Sequence, residues 1–69
     1  MNMEAITELI KQDSGRLEIR YDTHGKFFYG TVFDESRNAT ATGTGNTVEE
    51  VMNKLESDAK NYLNQFADN

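Results

Sequence analysis

The chain of 69 residues has no cysteine, no proline and no tryptophan, and its basic residues are few. Without cysteine it can form neither a disulfide framework nor a thiolate metal site, and the missing thiols favour a reducing compartment. Seven basic against twelve acidic side chains give a formal net charge of −5. That charge argues against direct binding to nucleic-acid phosphates or anionic membranes.

Long hydrophobic runs are also missing. No segment approaches the roughly 18 apolar residues of a membrane span, and residues 1–12 lack the apolar core of a secretory signal. The sequence therefore predicts a cytoplasmic protein whose residues 1–69 form a single domain. A domain of this length buries only about 60% of its unfolded surface, so its margin of stability is small.

The acidic surplus lies in the two terminal segments. Residues 1–15 sum to −2 and residues 45–69 to −3, whereas residues 16–37 are neutral and residues 38–44 are uncharged. Apolar residues at spacings of three and four predict a helix over 3–13, begun by Asn2 and ended by Gly15. Both acidic segments are thus predicted to be helical, because residues 48–66 show the same periodicity over five turns.

The middle of the chain alternates apolar and polar residues, as strands do. A two-residue turn at His24-Gly25 pairs Tyr21 with Phe28, and Gly25 is expected to take the positive φ. It also brings all the apolar residues of the first strand onto one face. A second turn at Glu35-Ser36 pairs Val32 with Ala39, Gly30 with Ala41, Phe28 with Gly43 and Thr31 with Thr40.

The long helix begins with a capping box, Thr47-Val48-Glu49-Glu50, in which Glu50 is expected to reach back to the amide of Thr47. The fold class is therefore α+β in the order α-β-β-β-α, a three-stranded antiparallel meander with both helices on one face. The predicted core consists of Ile6, Leu9, Ile10, Leu17, Ile19, Tyr21, Phe28, Val32, Ala39, Ala41, Val51, Met52, Leu55, Ala59, Tyr62, Leu63 and Phe66.

Aromatic side chains remain on the other side of the sheet once this core is assigned. They are predicted to be exposed, because two helices cannot cover both faces of the sheet. Either they form an interface, or the aliphatic parts of arginine side chains cover them. The residues of this predicted sheet-face interface are Arg20, Phe27, Tyr29, Phe33, Thr40 and Thr42.

The acidic helical surface is the second candidate. Glutamates in the first turn of a helix complement its dipole and aid solubility, but an acidic face also suits docking on a basic site. The predicted partner-binding residues are Glu4, Glu8, Glu49, Glu50, Asn53 and Glu56. No catalytic, cofactor-binding or metal-binding residues are predicted, because His24 is the sole histidine and sits in a turn without a triad partner.

Two resemblances bear on function. The element order, His24-Gly25-Lys26-Phe27 and the Gly43-Thr44-Gly45 junction resemble a double-stranded RNA-binding domain. That family holds phosphates with a lysine cluster at the start of its second helix, where this chain has Val48-Glu49-Glu50-Val51. The resemblance therefore implies the fold without the RNA binding.

The opening segment, Met1 to Lys11, is similar in pattern to small acidic anti-CRISPR proteins of phages, some of which share a short helix followed by a three-stranded sheet. This resemblance implies that acidic residues imitate DNA phosphates. The leading expectation is therefore a non-enzymatic inhibitor, encoded by a phage or mobile element, that blocks a basic host protein in the host cytoplasm. The alternative is a regulatory or structural module that forms a homodimer through its sheet face.

Overall fold

A computed structural model describes residues 2–67, with side chains through Gln65. The elements are α1 (Glu4–Asp13), β1 (Arg16–Asp22), β2 (Phe27–Phe33), β3 (Ala39–Gly45) and α2 (Val48–Ala67). The strands form an antiparallel sheet in the order β1-β2-β3. The predicted α-β-β-β-α fold is confirmed, with both helices packed on one face, chiefly against β2 and β3.

The end of α1 differs from the prediction. Ser14, with φ of 51°, ends the helix in the left-handed conformation, one residue before the Gly15 that was predicted to end it. Gly15 is needed for another reason, since a Cβ there would lie 2.1 Å from the carbonyl oxygen of Phe33. The glycine therefore allows the chain leaving α1 to pass close to the end of β2.

The β1–β2 register is confirmed, including the pair Tyr21 and Phe28. The turn itself is longer than two residues, and Lys26 rather than Gly25 has positive φ (60°). The Asp22 carboxylate accepts hydrogen bonds from the amides of His24 (2.9 Å) and Gly25 (3.0 Å). The turn is thus closed by an aspartate side chain, as in an Asx-turn.

The predicted β2–β3 register is wrong by two residues. Val32 pairs with Ala41, Gly30 with Gly43 and Thr31 with Thr42. The connection is longer than expected because the Asp34 carboxylate accepts the Asn38 amide at 2.9 Å, and β3 bulges at Thr40.

The bulge changes where two β3 residues lie. Ala39 pairs with Phe33 and is exposed instead of joining the core. Thr40 is buried and donates its hydroxyl to the Val32 carbonyl at 3.1 Å, so it does not face outward or pair with Thr31. Thr42 and Thr44 keep their predicted face, because a shift of two residues preserves the alternation.

The start of α2 has the expected cap in part. The Thr47 hydroxyl accepts the Glu50 amide at 3.1 Å, as predicted. The Glu50 carboxylate accepts the amide of Asn46, one residue before the expected Thr47, at 2.5 Å. The two hydrogen bonds together fix the chain between β3 and α2.

The core lies between the sheet and the helices. Tyr21 is 49% exposed, contrary to prediction, and Ala5 is buried without having been predicted. Phe66 lies outside the residues whose side chains the structure describes. The buried apolar residues are Ala5, Ile6, Leu9, Val32, Ala41, Val51, Met52, Leu55 and Ala59, with Ile10, Leu17, Ile19, Phe28, Tyr62 and Leu63 partly buried around them.

Candidate interaction surfaces

The acidic helical surface contains five of its six predicted residues. Glu4, Glu8, Glu49, Glu50 and Asn53 are exposed, as expected. Glu56 is 5% exposed, so the prediction that it belongs to an accessible acidic face is wrong.

Glu56 caps the first helix from the second. One carboxylate oxygen, Oε1, accepts the amides of Ala5 and Ile6 at 3.0 Å, and Oε2 accepts the Ala5 amide at 2.8 Å. The Asn2 side chain accepts the preceding amide, that of Glu4, at 2.9 Å. These bonds satisfy amide groups that a helix leaves unpaired at its start, and the negative charge complements the positive end of the helix dipole.

The sequence contains one signal for the burial of Glu56 that the sequence analysis missed. Glu56 follows Met52 by four residues and precedes Leu63 by seven, which places it on the flank of the buried stripe of α2. The N-cap position of α1 is Met3, which has no side-chain oxygen to offer. The position of Glu56 beside the apolar stripe therefore indicates burial, whereas its partners on α1 follow only from how the two helices pack.

Asp58 lies on the opposite flank of α2. Its Oδ2 accepts the amide of Thr42, on the outer edge of β3, at 2.8 Å. The helix thereby supplies a hydrogen-bond partner to a strand edge that β2 does not reach. Glu56 and Asp58 are thus both used within the fold.

The exposed residues of this surface fall into two groups. Glu49, Glu50 and Asn53 occupy the first two turns of α2. Glu4 and Glu8 line a surface depression on α1 together with Lys60. Lys60 is ten residues beyond Glu50, about 15 Å along the helix axis, so the two groups are separate. Each has a lysine beside it, Lys54 in the first and Lys60 in the second.

The open face of the sheet carries the other predicted interface. Arg20 is exposed and lies 3.6 Å from Glu18, which also pairs with Arg16 at 2.9 Å. The Arg16 guanidinium lies 4.6 Å from the centre of the Phe33 ring. Phe33 is therefore half-buried beneath an arginine. Of the two predicted alternatives, it is a ring covered by arginine and not one exposed for an interface.

Phe27 and Tyr29 are also half-buried rather than fully exposed. Their ring centres are 6.2 Å apart, and the Phe27 ring folds against Gly25, where a Cβ would meet it at 2.4 Å. The two rings line a groove on the open face with Thr42 and Thr44. Thr42 thus keeps its predicted place, whereas Thr40 does not.

The aromatic groove continues into a second one at the start of α2. Phe27 and Thr44 line both, and the second is completed by Glu50, Asn53 and other residues of that turn. The two surfaces that the sequence analysis treated as separate therefore meet at Phe27. An aromatic ring, the Glu50 carboxylate, the Asn53 amide and the Lys54 ammonium group lie there side by side.

His24 is exposed in the β1–β2 turn, as expected. Within the described part of the chain, no cluster of three or more histidine, aspartate or glutamate side chains is placed to hold a metal ion. None of the helices in that part is long and apolar enough to cross a membrane. Comparison of the chain with protein families, curated protein sequences and solved structures finds no significant match.

Proposed function

We propose that this protein is a non-enzymatic inhibitor that docks its acidic surface on a basic, nucleic-acid-binding host protein. The observation that carries the proposal is the exposure of Glu49, Glu50 and Asn53 at the start of α2, where Glu50 and Asn53 line a groove with the ring of Phe27. Lys54 also lines that groove and offsets part of the negative charge. Carboxylates at this place offer a basic groove the charge that phosphates would offer, and the ring adds apolar contact area.

The net charge of −5 supports the same partner class. Association with a basic surface is accelerated by complementary fields and slowed by salt, because salt screens them over about 8 Å at physiological ionic strength. Glu4 and Glu8 contribute to the overall field, although Lys60 beside them reduces their effect. An inhibitor of this kind would be encoded by a phage or mobile element and would act in the host cytoplasm.

A pair of variants with the same charge tests the docking surface. Glu49→Lys changes the charge within the proposed site, and the double change Asn61→Lys with Asn64→Lys makes an equal change at exposed positions further along α2. Host proteins captured by the wild type are purified, and the affinity of each variant for them is measured. We expect Glu49→Lys to weaken binding at least about tenfold and the control less than about threefold.

Competition with nucleic acid tests the mechanism. The captured protein is first loaded with its own nucleic acid, and the inhibitor is then added. Displacement that weakens as salt rises supports the proposal. A captured protein that binds no nucleic acid, or equal affinity of the Glu49→Lys variant and the wild type, would overturn it.

The aromatic groove on the sheet supports a second candidate, a module that self-associates through this face. Phe27 and Tyr29 present ring surface there between Thr42 and Thr44. Tyr29→Thr keeps a residue suited to a strand but removes the ring. If the module dimerises through this face, the variant sediments as a monomer at concentrations where the wild type does not. Unchanged sedimentation removes this candidate.

A further inference from the structure

The outer edge of β1 is a second place where this chain can meet a partner. β1 pairs with β2 on one side, and the helices lie over β2 and β3. Unpaired strand edges are templates for further strand pairing unless the protein guards them. The partner that fits this edge follows from its backbone, its apolar residues and its charges.

The backbone groups that point outward can be identified from β3. The Thr42 amide points away from β2, because it donates to Asp58 on the far side of β3. Thr31, which lies opposite Thr42 on β2, therefore directs its backbone groups toward β1, where it pairs with Glu18. Backbone direction alternates along an antiparallel strand. The amides and carbonyls of Leu17, Ile19 and Tyr21 therefore point outward from β1.

The side chains of the same three residues are incompletely covered. They lie on the helix side of the sheet, but Leu17 and Ile19 are only half-buried and Tyr21 is 49% exposed. Tyr21 packs against Phe28 with ring centres 4.8 Å apart, which covers one side of its ring. An apolar stripe thus runs beside the row of outward backbone groups.

The charges of β1 are self-complementary. The strand reads Arg-Leu-Glu-Ile-Arg-Tyr-Asp from Arg16 to Asp22. When the strand is laid antiparallel to a copy of itself with Ile19 opposite Ile19, Arg16 opposes Asp22 and Glu18 opposes Arg20. Every charged residue then faces its opposite, and Leu17 faces Tyr21. Opposite-charge pairs across strands are favourable and like-charge pairs are unfavourable.

Neighbouring registers lack this match. A shift of two residues places Glu18 opposite Glu18 in one direction and Arg20 opposite Arg20 in the other, and parallel pairing opposes every charge to its like. A shift of one residue opposes charged to apolar residues and sets outward backbone groups against inward ones. The sequence of β1 therefore favours this register over its neighbours and over parallel pairing, and it is the antiparallel register that pairs all seven residues of the strand.

We propose that two copies of this chain associate through β1, antiparallel and with Ile19 on the two-fold axis. The sheet then continues from one copy into the other, with the helices of both on the same side. Leu17, Ile19 and Tyr21 of the two copies meet between the helical layers, and about six backbone hydrogen bonds close the junction. The contact is isologous, so it closes at a dimer.

This interface is distinct from the aromatic groove and from the acidic group on α2. Its paired backbone groups and apolar contacts belong to the β1 edge, and of the residues that it brings together Asp22 also lines the aromatic groove. Phe27, Tyr29 and Glu49 remain accessible in the dimer. The proposal therefore does not rest on the proposed function, and a dimer would present that acidic group twice.

A charge exchange tests the interface. Arg20→Glu sets glutamate against Glu18 across the axis, and Glu18→Arg sets arginine against Arg20. Each variant alone is expected to dimerise about tenfold more weakly than the wild type, because two opposite-charge pairs become like-charge pairs. An equimolar mixture of the two variants restores both pairs and is expected to form the dimer again.

Sedimentation equilibrium measures the association from about 1 µM to about 1 mM, from the monomer mass of 7.8 kDa upward. Circular dichroism checks that each variant folds. We expect that it does, because exposed ion pairs contribute little to the free energy of unfolding. Slower hydrogen exchange at Leu17, Ile19 and Tyr21 as concentration rises, with Tyr29→Thr still dimeric, supports the proposal. A monomeric wild type at the highest concentration, or a mixture no more associated than the single variants, overturns it.

Discussion

The two edges of the sheet differ in how far they are covered. At β3 the helix α2 covers the edge, and Asp58 bonds the outward Thr42 amide at 2.8 Å. At β1 the backbone groups of Leu17, Ile19 and Tyr21 point outward beside half-buried or exposed side chains. Among residues 2–67, α2 is the one long helix, and it covers only one edge.

Glycine explains why the helix lies over β3. A Cβ on Gly43 would lie 3.0 Å from the Val51 carbonyl oxygen and 3.1 Å from the Leu55 amide, so strand and helix backbones nearly touch. β1 has no glycine between Arg16 and Asp22. Its bulky residues hold a helix at a distance but suit pairing with another strand.

Gly43→Val is expected to have the largest effect, because it separates α2 from the covered edge. The new side chain meets helix backbone, which cannot turn aside as a flexible side chain can. Overpacking of this kind is expected to lower the free energy of unfolding by about 3 kcal/mol. Urea denaturation measures it, and Thr44→Val at an exposed neighbouring position is the control. Equal stability of the two variants would show that the close approach is not required.

Glu56→Ala is expected to come next, since it frees α1 from the helix that covers β3. The buried amides of Ala5 and Ile6 lose their acceptor, at a cost of about 2 kcal/mol. Glu56→Gln retains an oxygen acceptor and should lose less, and Glu8→Ala at an exposed position should change stability by less than about 0.5 kcal/mol. Similar losses for Glu56→Ala and Glu8→Ala would contradict the capping role. Thermal and urea denaturation give the comparison.

The contrast between the edges also shows what the sequence could predict. Alternation along β1 and β2 defined the element order and the first hairpin, because slipping by one residue would bury charges. The same test cannot detect a slip of two residues, since the faces stay the same. The β2–β3 register was therefore misassigned where the Asp34 side chain extends the loop and Thr40 forms a bulge.

The role of Glu56 lay beyond the pattern for a different reason. It bonds residues 50 and 51 positions away in the chain, and such a contact exists only once the helices are packed. Composition assigned the glutamate to an acidic exterior, as it did Glu49. Only the packing distinguishes a carboxylate that caps a helix from one that is free to meet a partner.

Asp58→Ala should have a smaller effect on stability and a clear effect on the β3 edge. The Thr42 amide loses its acceptor but lies where water reaches, so the expected loss is about 1 kcal/mol. Asp58→Asn keeps an acceptor oxygen and serves as the control. Hydrogen exchange at Thr42 should accelerate in Asp58→Ala alone. Equal exchange in both variants would mean that α2 shields this edge without the carboxylate.

The smallest predicted effect concerns the free edge, whose strand is flanked by strained backbone. Ser14 and Lys26, on either side of β1, have φ of 51° and 60°, a conformation that disfavours residues with a Cβ. Ser14→Gly and Lys26→Gly should each raise the free energy of unfolding by about 0.5 kcal/mol. Relief of the backbone strain stabilises the folded state, and the greater entropy of glycine in the unfolded chain offsets part of that gain. Ser57→Gly, at an exposed position inside α2, should instead lower it by about 0.5 kcal/mol. Neither flanking residue offers a backbone group to the proposed β1 pairing, so the dimer affinity should stay unchanged while stability rises. A change in affinity would mean that the strand ends, and not only Leu17, Ile19 and Tyr21, take part in the contact.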